Sequence, residues 1–82
     1  MILYLAIVEE HTFDNKWDSY SHHAIFADHK DASNWGRSEA KRLASKYGAK
    51  YLTDFPECPE KYENGFVFYS VEIHELKEKE NE

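Results

Sequence analysis

Residues 31–48 carry a complete set of helix signals, and they constrain the fold of this chain more than any other stretch. On a helical wheel, their apolar and small residues fall within about 80° of arc, which makes one stripe of helical period. The members of that stripe are Ala32, Gly36, Ala40, Leu43 and Tyr47. Asp31 can accept hydrogen bonds from the free N–H groups of the first turn, and Gly48 suits the left-handed residue that ends a helix. The sequence therefore predicts a helix over residues 31–48 with Asp31 as its N-cap.

The small residues of the stripe indicate what the helix packs against. Gly36 and Ala40 let the helix backbone approach a neighbouring surface closely, because neither carries a bulky side chain. A helix of about 27 Å is also long enough to cross a small sheet. We therefore expect the helix to lie flat on a sheet whose own side chains are large.

The segments before the helix alternate with the period of two that a β-strand requires. Residues 2–10 are apolar on both faces, which predicts a central strand or a strand with one face buried by an oligomer. Residues 11–19 are predicted to form a polar loop. Residues 20–28 are predicted to form a second strand, and the short connection favours antiparallel pairing with the first.

The segments after the helix predict a short strand at residues 50–53, a turn-rich loop at 54–65 and a long strand at 66–76. One face of the long strand is apolar throughout. The other begins with Phe66 and Phe68 and then turns polar, which predicts that the end of the strand runs beyond the cover of the helix. The order β-β-α-(β)-β predicts an α+β fold, with one helix packed on a three- to four-stranded, mainly antiparallel sheet.

The length of 82 residues allows one hydrophobic core, so a single domain is expected over residues 1–76, followed by a flexible charged tail at 77–82. The chain has no apolar run of about 18 residues and no signal-peptide pattern. Its single cysteine, Cys58, excludes an internal disulfide. We expect a cytoplasmic protein without a membrane partner.

Charge is unevenly distributed along the chain. Residues 31–48 carry four basic and two acidic side chains, a charge of +2, so the remaining residues carry −8 within a net charge of −6. Direct binding of nucleic acid is not expected, because phosphate contacts require clustered lysine and arginine. The acidic surface is expected either to keep the protein soluble or to bind a basic partner, where it would imitate nucleic acid.

Signals for catalysis are weak. The serines lack a nucleophile elbow and the glycines form no phosphate-binding loop, so neither an enzyme nor a cofactor is predicted. Nearby carboxylates are expected to raise the pKa of the Cys58 thiol. One alternative is a small metal-dependent enzyme or metal-binding domain that uses His23, Asp28, His29 and His74, although the paired spacing of structural zinc ligands is absent.

One flank of the helix combines a tryptophan with charged residues, and the flanking loops combine aromatic residues with acids. Tryptophan and arginine are favoured at the centres of protein interfaces. The alternative is that Trp35 caps the edge of the sheet or belongs to the core, and that Glu39 pairs with Arg42 in water. The predicted partner-binding residues are Asp14, Trp17, Asp18, Trp35, Glu39, Arg42, Asp54, Phe55, Glu57, Glu60, Tyr62 and Glu63.

Taken together, these features predict a small acidic domain that binds a protein partner with a basic surface through acidic loops and aromatic anchors. A compact acidic domain without a catalytic signature is similar to the small accessory proteins of phages and mobile elements. This resemblance implies an inhibitor of a host nuclease or defence complex, and thus a role in evasion of host defence. A further alternative is a structural homodimer formed through the two-sided apolar first strand.

Overall fold

The strand with two apolar faces lies at the centre of the sheet. In the computed structural model, which describes residues 2–13 and 16–75 (with Trp17 described by its backbone alone), β1 spans Ile2–Phe13 and β2 spans Trp17–Phe26. β1 pairs antiparallel with both β2 and β4, which spans Gly65–Glu75. The short strand β3, Lys50–Tyr51, pairs parallel with β4, so the strand order is β2-β1-β4-β3.

One helix, α1, connects the two halves of the sheet and spans His29–Tyr47. A short 3₁₀ turn at Pro59–Lys61 interrupts the connection between β3 and β4. The α+β fold, the central position of the first strand and its antiparallel pairing with the second strand are all confirmed. Leu76 and the predicted tail at 77–82 lie outside the described residues.

The first hairpin is longer than the sequence predicts. Residues 11–19 were expected to form a loop, but the pairing continues as far as Phe13 opposite Trp17. That expectation was wrong because polar composition was weighted above the strand preference of threonine, phenylalanine and tryptophan. The second strand consequently begins at Trp17 and ends at Phe26, two residues before the predicted end at Asp28.

The helix begins before its predicted start. Asp28 is the N-cap, since its carboxylate accepts a hydrogen bond of 2.8 Å from the backbone N–H of Lys30. The assignment of the N-cap to Asp31 was therefore wrong, and Asp31 lies in the first turn, where its charge favours the positive end of the helix dipole. The predicted end is confirmed, because Gly48 is left-handed with φ of 65° and its N–H donates to the carbonyl of Ala44.

The helix covers one face of the sheet, which we call the helix face. Four of the five predicted stripe residues are buried, whereas Tyr47 is 45% exposed and Ala44 takes its place in the contact. The backbone of Gly36 lies so close to the sheet that a Cβ atom there would be 2.7 Å from Cδ2 of Tyr69. Small helix residues thus face large strand residues, as predicted.

The opposite face, which we call the loop face, is covered at one end by the segment between β3 and β4. There Phe66 and Phe68 are buried, and both stack on the imidazole of His11. Phe55 and Tyr62 of the covering segment contact these two phenylalanine rings. The apolar start of this face of β4 is therefore covered by the segment between β3 and β4. The prediction that the helix covers it was wrong.

In residues 2–13 and 16–75, no helix is both long enough and apolar enough to span a bilayer.

Candidate functional site

The predicted binding residues fall on two opposite faces of the sheet. Trp35, Glu39 and Arg42 project from α1 on the helix face. The five residues predicted between positions 54 and 62, with Glu63, belong to the covering segment of the loop face. The predicted binding residues therefore do not form a single surface.

The charged pair on the helix flank is satisfied within the helix itself. Arg42 donates from Nε and Nη2 to the two carboxylate oxygens of Glu39, at 2.7 and 2.9 Å. The hydrogen bond from the guanidinium holds the pKa of Glu39 below its usual range, and the same contact raises the pKa of Arg42. Because each charge already has its partner, this pair offers little attraction to another protein.

Trp35 is half-buried and packs against the main hydrophobic cluster, which includes Val8 and Leu43. Its ring centroid lies 6.0 Å from that of Phe26 on β2. These contacts make Trp35 a residue of the core margin, which favours the alternative given for it above.

The segment of residues 54–63, which we call the acidic loop, has the opposite character. Asp54, Glu57, Glu60 and Glu63 are all exposed, and Lys61 is the only base among them. Within the described part of the chain, none of the four carboxylates has a basic nitrogen within salt-bridge distance. The acidic loop therefore presents uncompensated negative charge to solvent.

Cys58 lies within the acidic loop, and the pKa of its thiol responds to the neighbouring negative charge. Hydrogen bonding to Glu60 and the negative charge of that carboxylate raise the pKa of the Cys58 thiol, which confirms the expectation from sequence. The pKa of Glu60 is lowered by a hydrogen bond from its own backbone and by the thiol. A thiol kept protonated in this way is a poor nucleophile.

Aromatic side chains are exposed beside these acids. Phe55 is 71% exposed and touches the protein through an edge contact with Phe68, at a centroid distance of 5.1 Å. Phe13, at the tip of the first hairpin, lines a hollow of about 410 Å³ together with Glu60, Tyr62 and Glu63. The acidic loop and the hairpin tip therefore form one continuous surface.

The hairpin residues predicted to bind a partner lie in different places. Asp14 lies outside the described residues, and the side chain of Trp17 is likewise not described. Asp18 is half-buried and lies on the helix face, where it lines a second hollow. Asp18 thus belongs to a site that the sequence did not predict.

That site is a groove of about 580 Å³ between the hairpin and the C-terminal end of α1. One lining residue is Glu10, which is only 4% exposed and whose Oε2 accepts a hydrogen bond of 2.8 Å from Nε2 of His22. Asn64 forms part of the wall, and its amide donates to the carbonyl of Gly48 at the end of the helix. The lining residues are Glu10, Thr12, Phe13, Asp18, Tyr20, His22, Tyr47 and Asn64.

One signal in the sequence indicates this groove. Glu10 has the same strand parity as Ala6 and Val8, so it places a carboxylate on the buried face of the central strand. A buried acid requires a partner, and His22 has the matching parity on β2. The prediction of residues 2–10 as a strand with two apolar faces did not include this pair.

The proposed metal ligands are not gathered into one site. His23 and His74 lie on the loop face of two different strands, while His29 begins α1 and packs edge-on against Tyr4. The carboxylate of Asp28 is occupied as the N-cap. Across residues 2–13 and 16–75, no three histidine, cysteine, aspartate or glutamate side chains are placed to hold a metal ion.

Comparisons of this chain with protein-family models, with curated proteins and with solved structures returned no match. Its function is therefore inferred from the geometry and charge of its own residues.

Proposed function

We propose that this protein is a small binding domain that docks on a basic surface of a partner protein through the acidic loop. One observation carries the proposal: the acidic loop holds four exposed carboxylates without salt-bridge partners together with Phe55, a phenylalanine that is 71% exposed. Opposite charge speeds the encounter of two proteins and selects the partner, while a buried aromatic side chain supplies most of the binding energy.

The distribution of charge supports the acidic loop over the helix flank. Glu39 and Arg42 compensate each other, whereas the four carboxylates of the acidic loop remain available to a basic partner. Nucleic acid would be repelled by this surface, whereas a protein surface that normally binds nucleic acid would be attracted to it. The proposal therefore includes an inhibitory role, in which the domain imitates nucleic acid toward a host nuclease or defence complex.

A cytoplasmic location forms part of the proposal. The single cysteine is exposed and free, and a reducing compartment keeps such a thiol unpaired. The proposed encounter with a nuclease or a defence complex also takes place inside a cell.

The experiment is a pull-down from cell lysate with three variants, at about 50 mM and about 300 mM salt. We expect one protein to be retained at low salt and less of it at the higher concentration. Glu57→Lys and Phe55→Ala should each reduce retention, because one reverses a charge of the acidic loop and the other removes its anchor. Glu75→Lys makes the same charge change at an exposed position at the far end of β4 and serves as the control.

Retention supports the proposal only when both loop variants lower it and the control does not. Equal retention by Glu57→Lys and the unmodified protein would show that the acidic loop is not the docking surface.

A structural homodimer is a second candidate, favoured by the uncovered end of the loop face. There Ile25 is 66% exposed and lines an apolar hollow of about 190 Å³ with Leu3, Leu5 and His74. Sedimentation should then show a dimer that Ile25→Lys dissociates. A monomer at high micromolar concentration would eliminate this candidate.

A further inference from the structure

We infer that the groove beside Glu10 and His22 binds one arginine side chain of the partner protein through its guanidinium group. This inference rests on the proposed function, since a basic partner would supply the arginine. Phe13 lines both this groove and the hollow beside Glu60 and Glu63, so the groove adjoins the surface on which the partner is proposed to dock.

The hydrogen bonding of Glu10 is incomplete. His22 satisfies Oε2, and no described residue donates a hydrogen bond to Oε1. Glu10 lines the groove, and Oε1 is not completely shielded from solvent although the residue as a whole is only 4% exposed. A carboxylate has about four acceptor positions, and a charged donor forms the strongest bond to them. Glu10 is therefore prepared to accept one cationic donor.

The walls of the groove suit a flat cation. Tyr20 and Tyr47 are both about half exposed, and Phe13 adds a third ring. Aromatic faces attract cations, and the planar guanidinium can stack on them while it donates to a carboxylate. Tyr47 already makes such a contact with its neighbour, since Nζ of Lys46 lies 5.2 Å from the ring centroid.

The charges around the groove favour a cation over an anion. Asp18 adds a second carboxylate to Glu10, and no lysine or arginine is among the eight lining residues. Arg42 interacts electrostatically with Glu10 and Tyr47, but its guanidinium is bound by Glu39. Apart from His22, which already pairs with Oε2, no basic side chain lining the groove is in direct contact with Glu10.

The test uses small probes and ¹⁵N-labelled protein, so it does not depend on the partner. N-acetyl-arginine methylamide should produce saturable shifts in the NMR signals of Glu10, Thr12 and His22, with a dissociation constant on the order of 1 mM. The citrulline counterpart has nearly the same shape without the charge and should bind at least about tenfold more weakly.

Two glutamates that are neighbours in sequence provide matched variants. Glu10→Gln should weaken binding of the arginine probe at least about tenfold, because the amide retains the size and loses the charge. Glu9→Gln should leave binding unchanged, since Glu9 lies on the loop face of the same strand near His11. If Glu10→Gln does not fold, Asp18→Asn replaces it, with an expected loss of about threefold.

Three results would overturn the inference. They are equal binding of citrulline, equal binding of the lysine counterpart, and unchanged affinity in every carboxylate variant that folds. Failure of the proposed function is distinguishable, because it would leave the arginine probe bound while Glu57→Lys retains a partner as well as the unmodified protein does.

Discussion

The two faces of the sheet are covered by different kinds of structure. On the helix face, small residues of α1 lie against large strand side chains, and Gly36 brings the backbone into contact with Tyr69. On the loop face, an irregular segment without buried charge places Phe55 and Tyr62 on the rings of Phe66 and Phe68. The same three long strands thus support a regular cover and an irregular one.

The difference shows where stability and binding reside in so small a domain. The helix forms its own backbone hydrogen bonds and pairs Glu39 with Arg42, so it leaves few unpaired polar groups for a partner. The irregular cover contributes two aromatic contacts to the core and leaves four carboxylates and an exposed phenylalanine in solvent. We expect substitutions under both covers to affect folding and substitutions on the acidic loop to affect binding.

The largest effect is expected at Gly65, where the irregular cover joins β4. Its φ is +101°, and a Cβ atom there would overlap the carbonyl oxygen of His11 and lie 2.7 Å from Cα of Thr12. Gly65→Ala should lower the free energy of unfolding by about 3 kcal/mol or more, measured by urea denaturation. Gly48→Ala is the control, because it also has positive φ but meets only Asn64 at 3.9 Å, and it should cost about 1 kcal/mol. Equal losses of stability in the two variants would show that the backbone around Gly65 can shift to accommodate a Cβ atom.

The second prediction separates two phenylalanines of the loop face. Phe66 is 2% exposed, so Phe66→Ala should cost about 3–5 kcal/mol of stability by leaving a cavity. Phe55→Ala should change stability by less than about 0.5 kcal/mol and should act on partner retention instead. Thermal unfolding of both variants measures the difference. A large loss of stability in Phe55→Ala would mean that Phe55 serves as part of the core.

Trp35 tests the helix face in the same way. Because its half-buried ring packs against the main cluster and Phe26, Trp35→Ala should cost about 2 kcal/mol, roughly half of the loss at a fully buried site. Urea denaturation gives the value without knowledge of the partner. A midpoint close to that of the unmodified protein, combined with lost retention in the pull-down, would restore the interface interpretation.

The smallest effect is expected from the ion pair of the helix flank. Glu39→Gln should cost only a few tenths of a kcal/mol, since the pair lies on a solvated surface. The pKa of Glu39 is lower in the folded protein, so its contribution is present above the ordinary value of 4.5 and is lost as the pH falls through the folded pKa. Unfolding curves of the variant and the unmodified protein should therefore converge in acid. A constant difference down to strongly acidic pH would contradict this account.

The sequence predicts the regular cover well because its signals are local. Spacing along one helix identifies the buried stripe, and Gly48 marks the end of α1. Asp28 and Asp31 are both suitable N-cap residues, so the sequence alone does not distinguish them, and the N-cap was predicted at the wrong one. Local patterns therefore predict the helix, whereas the position of its first turn depends on which aspartate is the N-cap.

The irregular cover and the groove depend on contacts between distant residues. Nothing near Phe55 indicates that its ring meets Phe68, and the parity of Glu10 becomes informative only once its strand is known to be central. The candidate site was therefore only partly predictable. Composition identified the acids and aromatics between residues 54 and 63, whereas pairing between strands decides that Trp35 and Asp18 lie on the other face.

The pairing of β1 with β4 also determines the order in which the fold can assemble. Ile2 lies opposite Glu75 and Thr12 opposite Gly65, so the central strand is completed by a segment made more than fifty residues later. During synthesis on the ribosome, the β1–β2 hairpin can form early, but the core must wait until β4 has emerged. Closure of so long a loop makes folding slow relative to a helical domain of this size, and β1 keeps one edge unpaired throughout that delay.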